Sequence, residues 1–240
     1  MKIGVSSKLQ RGKTTFVGFL KTKLEEIFHN EFRITAFAYN LKHLCSILKG
    51  CDISIFMTTQ GKNTILSGGH LPVLDDVIKC LSECCPKSLE IGKIRTIGVA
   101  ASLCDECVNG KWKSINAGSL LQEVGTYVRE CLHENYWKLA VLEADCNGII
   151  DDCRFKNEAR GFLGKNRYLI RLEGPRRGET TRDENHISET DLDDLRQLEA
   201  ETQVRWDDII HNTGTLQDLE LTADSVAQHI YDKFHMIEPV

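Results

Sequence analysis

The chain has 240 residues, of which 41% are hydrophobic and 27% charged, and a chain of this size folds around its own core without disulfide bonds. Its formal net charge of −5 argues against a surface that coats nucleic acid, so we expect no nucleic-acid partner. No apolar run approaches the ~20 residues of a membrane span, and MKIGVSS lacks the apolar core of a signal peptide. These features predict a cytoplasmic protein without a membrane partner.

The first part of the chain alternates between strand and helix patterns. Residues 2–6 predict a buried strand, and a polar loop separates them from a helical apolar spacing over 16–28. Residues 33–38 predict a second strand, and residues 40–49 predict a helix that ends at Gly50. This order of elements predicts a parallel sheet with right-handed crossovers.

Residues 51–118 interrupt this alternation and are interpreted as an insertion. A helix is predicted over 73–82, whereas residues 91–101 and 111–115 are predicted to be extended. Because Asn109-Gly110 favours a tight turn between two strands, these extended segments predict a small β-hairpin.

The regular pattern returns after residue 118. Residues 174–190 are polar and rich in arginine, and we interpret them as a mobile lid loop. The remaining segments complete one α/β domain over 1–240. Helices are predicted over 119–132, from Trp137, over 156–163 and over 216–234, and strands over 148–152, 167–173 and 207–214.

The loop SKLQRGKTT, residues 7–15, fits the phosphate-loop pattern GxxxxGK[ST] at Gly12, Lys13 and Thr14, with Ser7 in place of the first glycine. Backbone N–H groups of such a loop, aided by the positive end of the following helix, bind phosphate oxygens. We therefore expect Lys13 to bridge the β- and γ-phosphates of ATP and the Thr14 hydroxyl to coordinate Mg²⁺.

A second charged cluster follows the predicted strand at 148–152. Carboxylates at the carboxyl end of a parallel strand lie at the edge where such sheets bind ligands. Asp152 is predicted to hold Mg²⁺ through water or to fix an acceptor hydroxyl, and Arg154 to clamp a phosphate. Glu158 lies one helical turn beyond. The alternative is an internal ion pair that caps the next helix.

Three arginines, Arg176, Arg177 and Arg182, lie in the stretch 174–190. Arginines that close over a reacting phosphoryl group stabilise its negative charge and exclude water. The alternative is a solvated basic loop without a role in catalysis.

The chain contains ten cysteines, which we expect to be reduced because no export signal is recognised. Cys104 and Cys107 have the two-residue gap of a zinc knuckle, and Cys84 and Cys85 could complete a four-thiolate site. Adjacent cysteines rarely both reach one metal ion. Zinc ligation and free thiols both stay open.

Together these motifs resemble the deoxynucleoside monophosphate kinases of phages and large DNA viruses, a P-loop kinase family related in fold to animal phosphomevalonate kinase. The similar stretches are SKLQRGKTT, FAYNLKHL, LLQEVGTYVRECLHENYW, DDCRFKNEA, HISE and IIHNTGTLQDL, which follow one another along most of the chain. The resemblance implies a P-loop NTPase-type parallel sheet flanked by helices, with an inserted acceptor-binding region at 51–118.

The resemblance implies transfer of the γ-phosphoryl group of ATP, with Mg²⁺, to a deoxynucleoside monophosphate. It is also compatible with a homodimer. The catalytic residues would be Lys13, Asp152, Arg154, Arg176 and Arg177, with Thr14 and Asp152 at the metal. The ATP phosphates would contact Ser7, Lys8, Gln10, Arg11, Gly12, Lys13, Thr14 and Thr15, and the acceptor would contact Leu41, Lys42, Gln122, Gly125, Thr126, Arg129, Trp137 and Glu158.

Two alternatives stay open. The family usually has an arginine where this chain has Ser119. It also has the first glycine of the phosphate-loop pattern where this chain has Ser7. These departures, with the thiol-rich insertion, are compatible with a nucleotide-binding module that lacks catalysis. The other alternative is a kinase for a different small phosphorylated acceptor, such as phosphomevalonate.

Overall fold

A computed structural model describes residues 1–8, 10–177, 190–193 and 204–235. The chain divides into two compact units, of which the first comprises Met1–Ala36 with Asp145–Val240 and the second comprises Phe37–Ala144. The second unit contains the predicted insertion 51–118 and extends beyond it on both sides.

The first unit is built on a five-stranded, all-parallel sheet with the strand order β2-β5-β1-β6-β7. This arrangement confirms the predicted α/β class and its parallel sheet. The central strand β1 is buried along its whole length, which matches the apolar run read from the sequence. The strands are β1 (Lys2–Ser7), β2 (Phe32–Thr35), β5 (Asn147–Ile150), β6 (Arg167–Glu173) and β7 (Asp208–His211).

Two long helices, α1 (Lys13–Phe28) and α9 (Leu216–His235), pack against each other and against the sheet. Their buried residues recur at helical spacing, as in Phe16, Leu20 and Leu24 of α1, so each helix buries one apolar stripe. The short helix α8 (Lys156–Ala159) follows β5 and continues into a 3₁₀ turn at Arg160–Phe162.

The strand order creates a crevice at the carboxyl edge of the sheet. The chain leaves β1 towards the β2 side and leaves β6 towards β7, although β1 and β6 are neighbours. Ligands of open parallel sheets bind outside the carboxyl ends of the strands at such a reversal. The segments that follow β1, β5, β6 and β7 all meet at this edge because the strands are parallel.

The second unit is mainly helical and has its own buried core. It also contains a short antiparallel pair, β3 (Ile65–Ser67) with β4 (Ser114–Asn116), and a 3₁₀ turn at Ile53–Phe56. Its helices are α2 (Tyr39–Lys49), α3 (Thr59–Lys62), α4 (Leu74–Glu83), α5 (Lys93–Val108), α6 (Ala117–Cys131) and α7 (Tyr136–Leu142).

The prediction of an extended segment over 91–101 is wrong, because this segment belongs to helix α5. Its buried residues include Thr96, Val99, Ala100 and Leu103, which lie on one face of a helix but would alternate between the faces of a strand. Gly110, at φ +79°, follows the end of α5 instead of joining two strands. Strand β4 therefore pairs with the distant β3 and not with residues 91–101.

Candidate active site

The β1–α1 loop, residues 8–12, connects the central strand to the first helix. Ser7 lies in extended strand conformation and pairs with Leu172 of β6, so its position does not require the glycine of the full pattern. The left-handed backbone occurs later, at Gln10 with φ 59° and at Gly12 with φ 90°. Helix α1 begins at Lys13, and the half-buried Lys13 is followed by the exposed Thr14 and Thr15.

Gly12 is in a place that only glycine fits. Its φ of 90° lies in the left-handed region, and a Cβ atom there would collide with Nδ2 of Asn212. The same Nδ2 donates a hydrogen bond to the Arg11 carbonyl at 2.9 Å. The segment that follows β7 therefore holds the β1–α1 loop in shape.

The start of the predicted lid loop lies against the β1–α1 loop. Arg177 donates its backbone N–H to the Gln10 carbonyl at 2.9 Å, and Nη2 of Arg177 donates to Oδ1 of Asn212 at 3.1 Å. Arg176 Nε is 3.3 Å from Gln10 Oε1. Residues 178–189 of this prediction, which include Arg182 and the HISE stretch at 186–189, lie outside the described residues.

Strand β5 ends beside β1, since Gly4 pairs with Ile150, and the carboxylates Asp151 and Asp152 follow directly. The next residue, Cys153, is buried, and this burial raises the pKa of its thiol. The thiol pKa is also raised by the charges of Glu158 and Asp152 and lowered by that of Lys13. The charges of Lys13, Asp152 and Glu158 therefore all act on one buried thiol.

The carboxylate of Glu158 is held at the start of α8. Its Oε2 accepts hydrogen bonds from the backbone N–H groups of Arg154 at 2.8 Å and Phe155 at 3.0 Å. Burial nevertheless raises the pKa of Glu158 to about 7, and the nearby negative charge of Asp152 acts in the same direction. Burial therefore outweighs the two hydrogen bonds, which favour the ionised form. Glu158 both shapes this turn and holds a proton near neutral pH.

Sequence reasoning missed Arg171, which lies on β6 within an otherwise apolar strand. Its side chain is buried, donates to Ser6 Oγ at 3.0 Å and pairs with Asp193 at 2.8 Å. The sequence does contain a signal for this residue, because an arginine inside the apolar run RYLIRLE indicates a buried charge that needs a partner. A cavity of about 400 Å³ adjoins these groups, and its lining includes Lys8, Arg11, Arg171, Glu173, Asp193 and His211.

The residues predicted to bind the acceptor lie in the second unit and fall into two sets. Leu41, Gly125 and Trp137 are buried, and the two side chains both approach Gly125. A Cβ on Gly125 would lie 2.8 Å from Leu41 Cδ2, and Trp137 Nε1 donates to the Gly125 carbonyl at 3.3 Å. These three residues belong to the core where α2, α6 and α7 pack, and their acceptor role stays a prediction.

The second set lies at the surface of the same unit. Gln122 and Thr126 line an open depression of about 390 Å³ on α6, and Arg129 donates to Thr126 Oγ1 at 3.1 Å. Lys42 is half-buried on α2. Polar side chains on this depression are available to a small ligand.

The cysteines of the second unit are either buried in its core or partly buried against it. Cys84 Sγ lies 3.4 Å from Tyr136 Oη, and Cys107 Sγ lies 3.6 Å from the Leu48 carbonyl. Within the described ranges, no group of three His, Cys, Asp or Glu side chains is arranged to hold a metal ion. Cys84, Cys85, Cys104 and Cys107 are free thiols in the structure.

Comparison of the chain with models of known protein families gives no match, and a search of curated proteins gives none either. In the part of the chain that the structure describes, no helix combines the length and the apolar character that crossing a bilayer requires.

Proposed function

We propose that the chain is a P-loop NTPase-type kinase that transfers the γ-phosphoryl group of ATP to a deoxynucleoside monophosphate, giving ADP and a deoxynucleoside diphosphate. One observation carries the proposal. The β1–α1 loop turns through the left-handed Gly12 into the 16-residue helix α1, beside a strand that ends in two carboxylates. This arrangement supports phosphoryl transfer, because the N-terminus of a helix at the carboxyl edge of a parallel sheet favours phosphate, and carboxylates at the same edge favour Mg²⁺.

Each residue of this edge has a role in the proposal. The N–H groups at the start of α1 bind the phosphates, and Lys13 neutralises the charge that develops on the transferred group. Arg154 binds the acceptor phosphate, and Arg176 and Arg177 bind the donor from the other side of the loop. The protein thus positions two phosphates in line and contributes no covalent step.

Magnesium fits the oxygen donors at this edge. The Thr14 hydroxyl and the Asp152 carboxylate are hard ligands, and Mg²⁺ commonly keeps several waters and binds one or two protein oxygens plus substrate phosphates. When bound, the ion would neutralise phosphate charge.

The proposed acceptor is supported by the family resemblance alone. Lys42 would bind the acceptor phosphate, and Gln122 and Thr126, on the surface depression of α6, offer amide and hydroxyl groups to a nucleobase. Comparing the turnover of the four deoxynucleoside monophosphates measures the base preference.

The test is an ADP-release assay with ATP and each of the four deoxynucleoside monophosphates, with and without Mg²⁺. We expect Mg²⁺-dependent turnover with at least one of them. Turnover with phosphomevalonate alone would replace the proposed acceptor. ATP binding without turnover of any acceptor would reduce the chain to a nucleotide-binding module.

A further inference from the structure

The carboxylate of Asp193 bridges two cations at the carboxyl edge of the sheet. Lys8 Nζ contacts one carboxylate oxygen, and Arg171 Nη2 contacts the other at 2.8 Å. Arg171 is itself buried and donates a hydrogen bond to Ser6 Oγ. Its Cζ lies over the Trp206 ring, 5.7 Å from the ring centroid. Its guanidinium is therefore fixed, and the two oxygens of Asp193 sit where a bound anion would place two of its own.

The charges around the adjoining cavity favour an anion. Arg11 supplies a third positive group, and its Nε is buried without a hydrogen-bond partner among the described residues. Glu173 opposes them, with Oε1 3.8 Å from Arg171 Nε and Oε2 3.6 Å from His211 Nδ1. Three lysine and arginine cations thus face two carboxylates, so the departure of Asp193 raises the net charge of these five groups from +1 to +2.

We propose that Lys8, Arg11 and Arg171 form a subsite for a phosphate group, which Asp193 occupies as an internal anion until the ligand displaces it. A phosphate dianion carries more charge than a carboxylate, and arginine and lysine are the side chains that bind it. The phosphate is either part of a bound nucleotide or free inorganic phosphate. Because two of the cations belong to the β1–α1 loop, the first source rests on the proposed function.

Competition between Asp193 and the ligand has a measurable consequence. The apparent affinity of a ligand falls by the fraction of molecules in which its site is open. Removing the charge of Asp193 opens the subsite without changing its cations. Asp191 provides a matched control, because it lies two residues away and its carboxylate accepts the Lys156 N–H at 2.8 Å instead of contacting the subsite.

The experiment measures the binding of inorganic phosphate, inorganic triphosphate and ATP by calorimetry to the full chain and to the variants Asp193→Asn and Asp191→Asn. We expect Asp193→Asn to bind triphosphate and ATP about tenfold more tightly than the parent chain, and Asp191→Asn to match the parent. A gain with inorganic phosphate as well identifies a site for free phosphate. A gain limited to the longer ligands identifies a nucleotide phosphate.

Unchanged or weaker binding of all three probes by Asp193→Asn overturns the inference, as does an equal gain in Asp191→Asn, which would be a general charge effect. If Asp193→Asn folds poorly, Lys8→Gln replaces it as the test. We expect Lys8→Gln to weaken triphosphate binding, and unchanged binding refutes the subsite. A parent chain that transfers no phosphoryl group refutes the proposed function alone, since tighter triphosphate binding by Asp193→Asn would still support the subsite.

Discussion

The substitution Gly12→Ala tests the structure of the β1–α1 loop most sharply. At φ 90°, an L side chain costs about 1–2 kcal/mol of backbone strain. The added Cβ also collides with Nδ2 of Asn212, which donates to the Arg11 carbonyl, and losing such a hydrogen bond costs about 1 kcal/mol. Alanine recovers part of this through the lower entropy of the unfolded chain, so we expect a net loss of roughly 2 kcal/mol.

Thermal unfolding followed by circular dichroism measures this loss, which corresponds to a fall of about 4–8 °C in the unfolding midpoint. Gly18→Ala is the matched control, since Gly18 lies within α1 and a Cβ there meets nothing within 4 Å. Alanine at that position should raise stability by about 0.5–1 kcal/mol.

A double-mutant cycle separates the two causes. In an Asn212→Ala background the collision is absent, so Gly12→Ala should cost only the backbone strain, about 1 kcal/mol less than in the parent chain. A Gly12→Ala variant as stable as the parent, or a cost independent of Asn212, would refute the loop conformation described above.

Three further predictions concern the reaction centre. Lys13→Ala should abolish phosphoryl transfer in the ADP-release assay with an unfolding midpoint near that of the parent, whereas Lys21→Ala, on the same helix, should keep the parent rate; transfer by the Lys13 variant would remove this residue from catalysis. Arg154→Ala should lower the rate by orders of magnitude, and a rate near that of the parent would remove Arg154 from the acceptor phosphate. Glu158 has a folded-state pKa of about 7 against an ordinary value of 4.5, so the folded chain keeps a proton that the unfolded chain has released between these pH values. Stability should therefore fall as the pH rises through this window, by up to roughly 3 kcal/mol, and Glu158→Gln should lack this component in urea unfolding at several pH values; equal pH profiles for the two chains would contradict the raised pKa.

The elements of the sheet could be predicted because their signals are local. Strands β1 and β6 each have an apolar, buried centre, and helices α1 and α9 have apolar residues at helical spacing. The C-terminal end of α2 could be predicted because Gly50, which takes φ 58°, directly follows the helix. In each case the burial pattern within one segment determines its structure.

The prediction of an extended segment at helix α5 is wrong for a physical reason. The run IGKIRTIGVAA contains β-branched residues, which favour a strand, and two glycines, which disfavour a helix. Helix α5 nevertheless packs against α4 and buries Val99, Ala100 and Leu103 on one face. Tertiary packing overrides local propensity here.

The contacts that shape the candidate site join residues far apart in the chain. Asn212 reaches the Arg11 carbonyl 201 residues away, and Asp193 pairs with Arg171 from a different segment. A single sequence gives no distance between such segments. The motif at residues 12–14 was therefore predictable, whereas the groups that hold it were not.

The most direct test of the central claim is the response of backbone amides to ATP with Mg²⁺ in ¹H–¹⁵N correlation spectra. We predict the largest shifts at the N–H groups of Gly12, Lys13 and Thr14, with Gly98 and Gly110 unchanged. Saturable ATP binding that leaves the three loop amides unmoved, or no binding at all, would contradict the claim that this loop holds the phosphates.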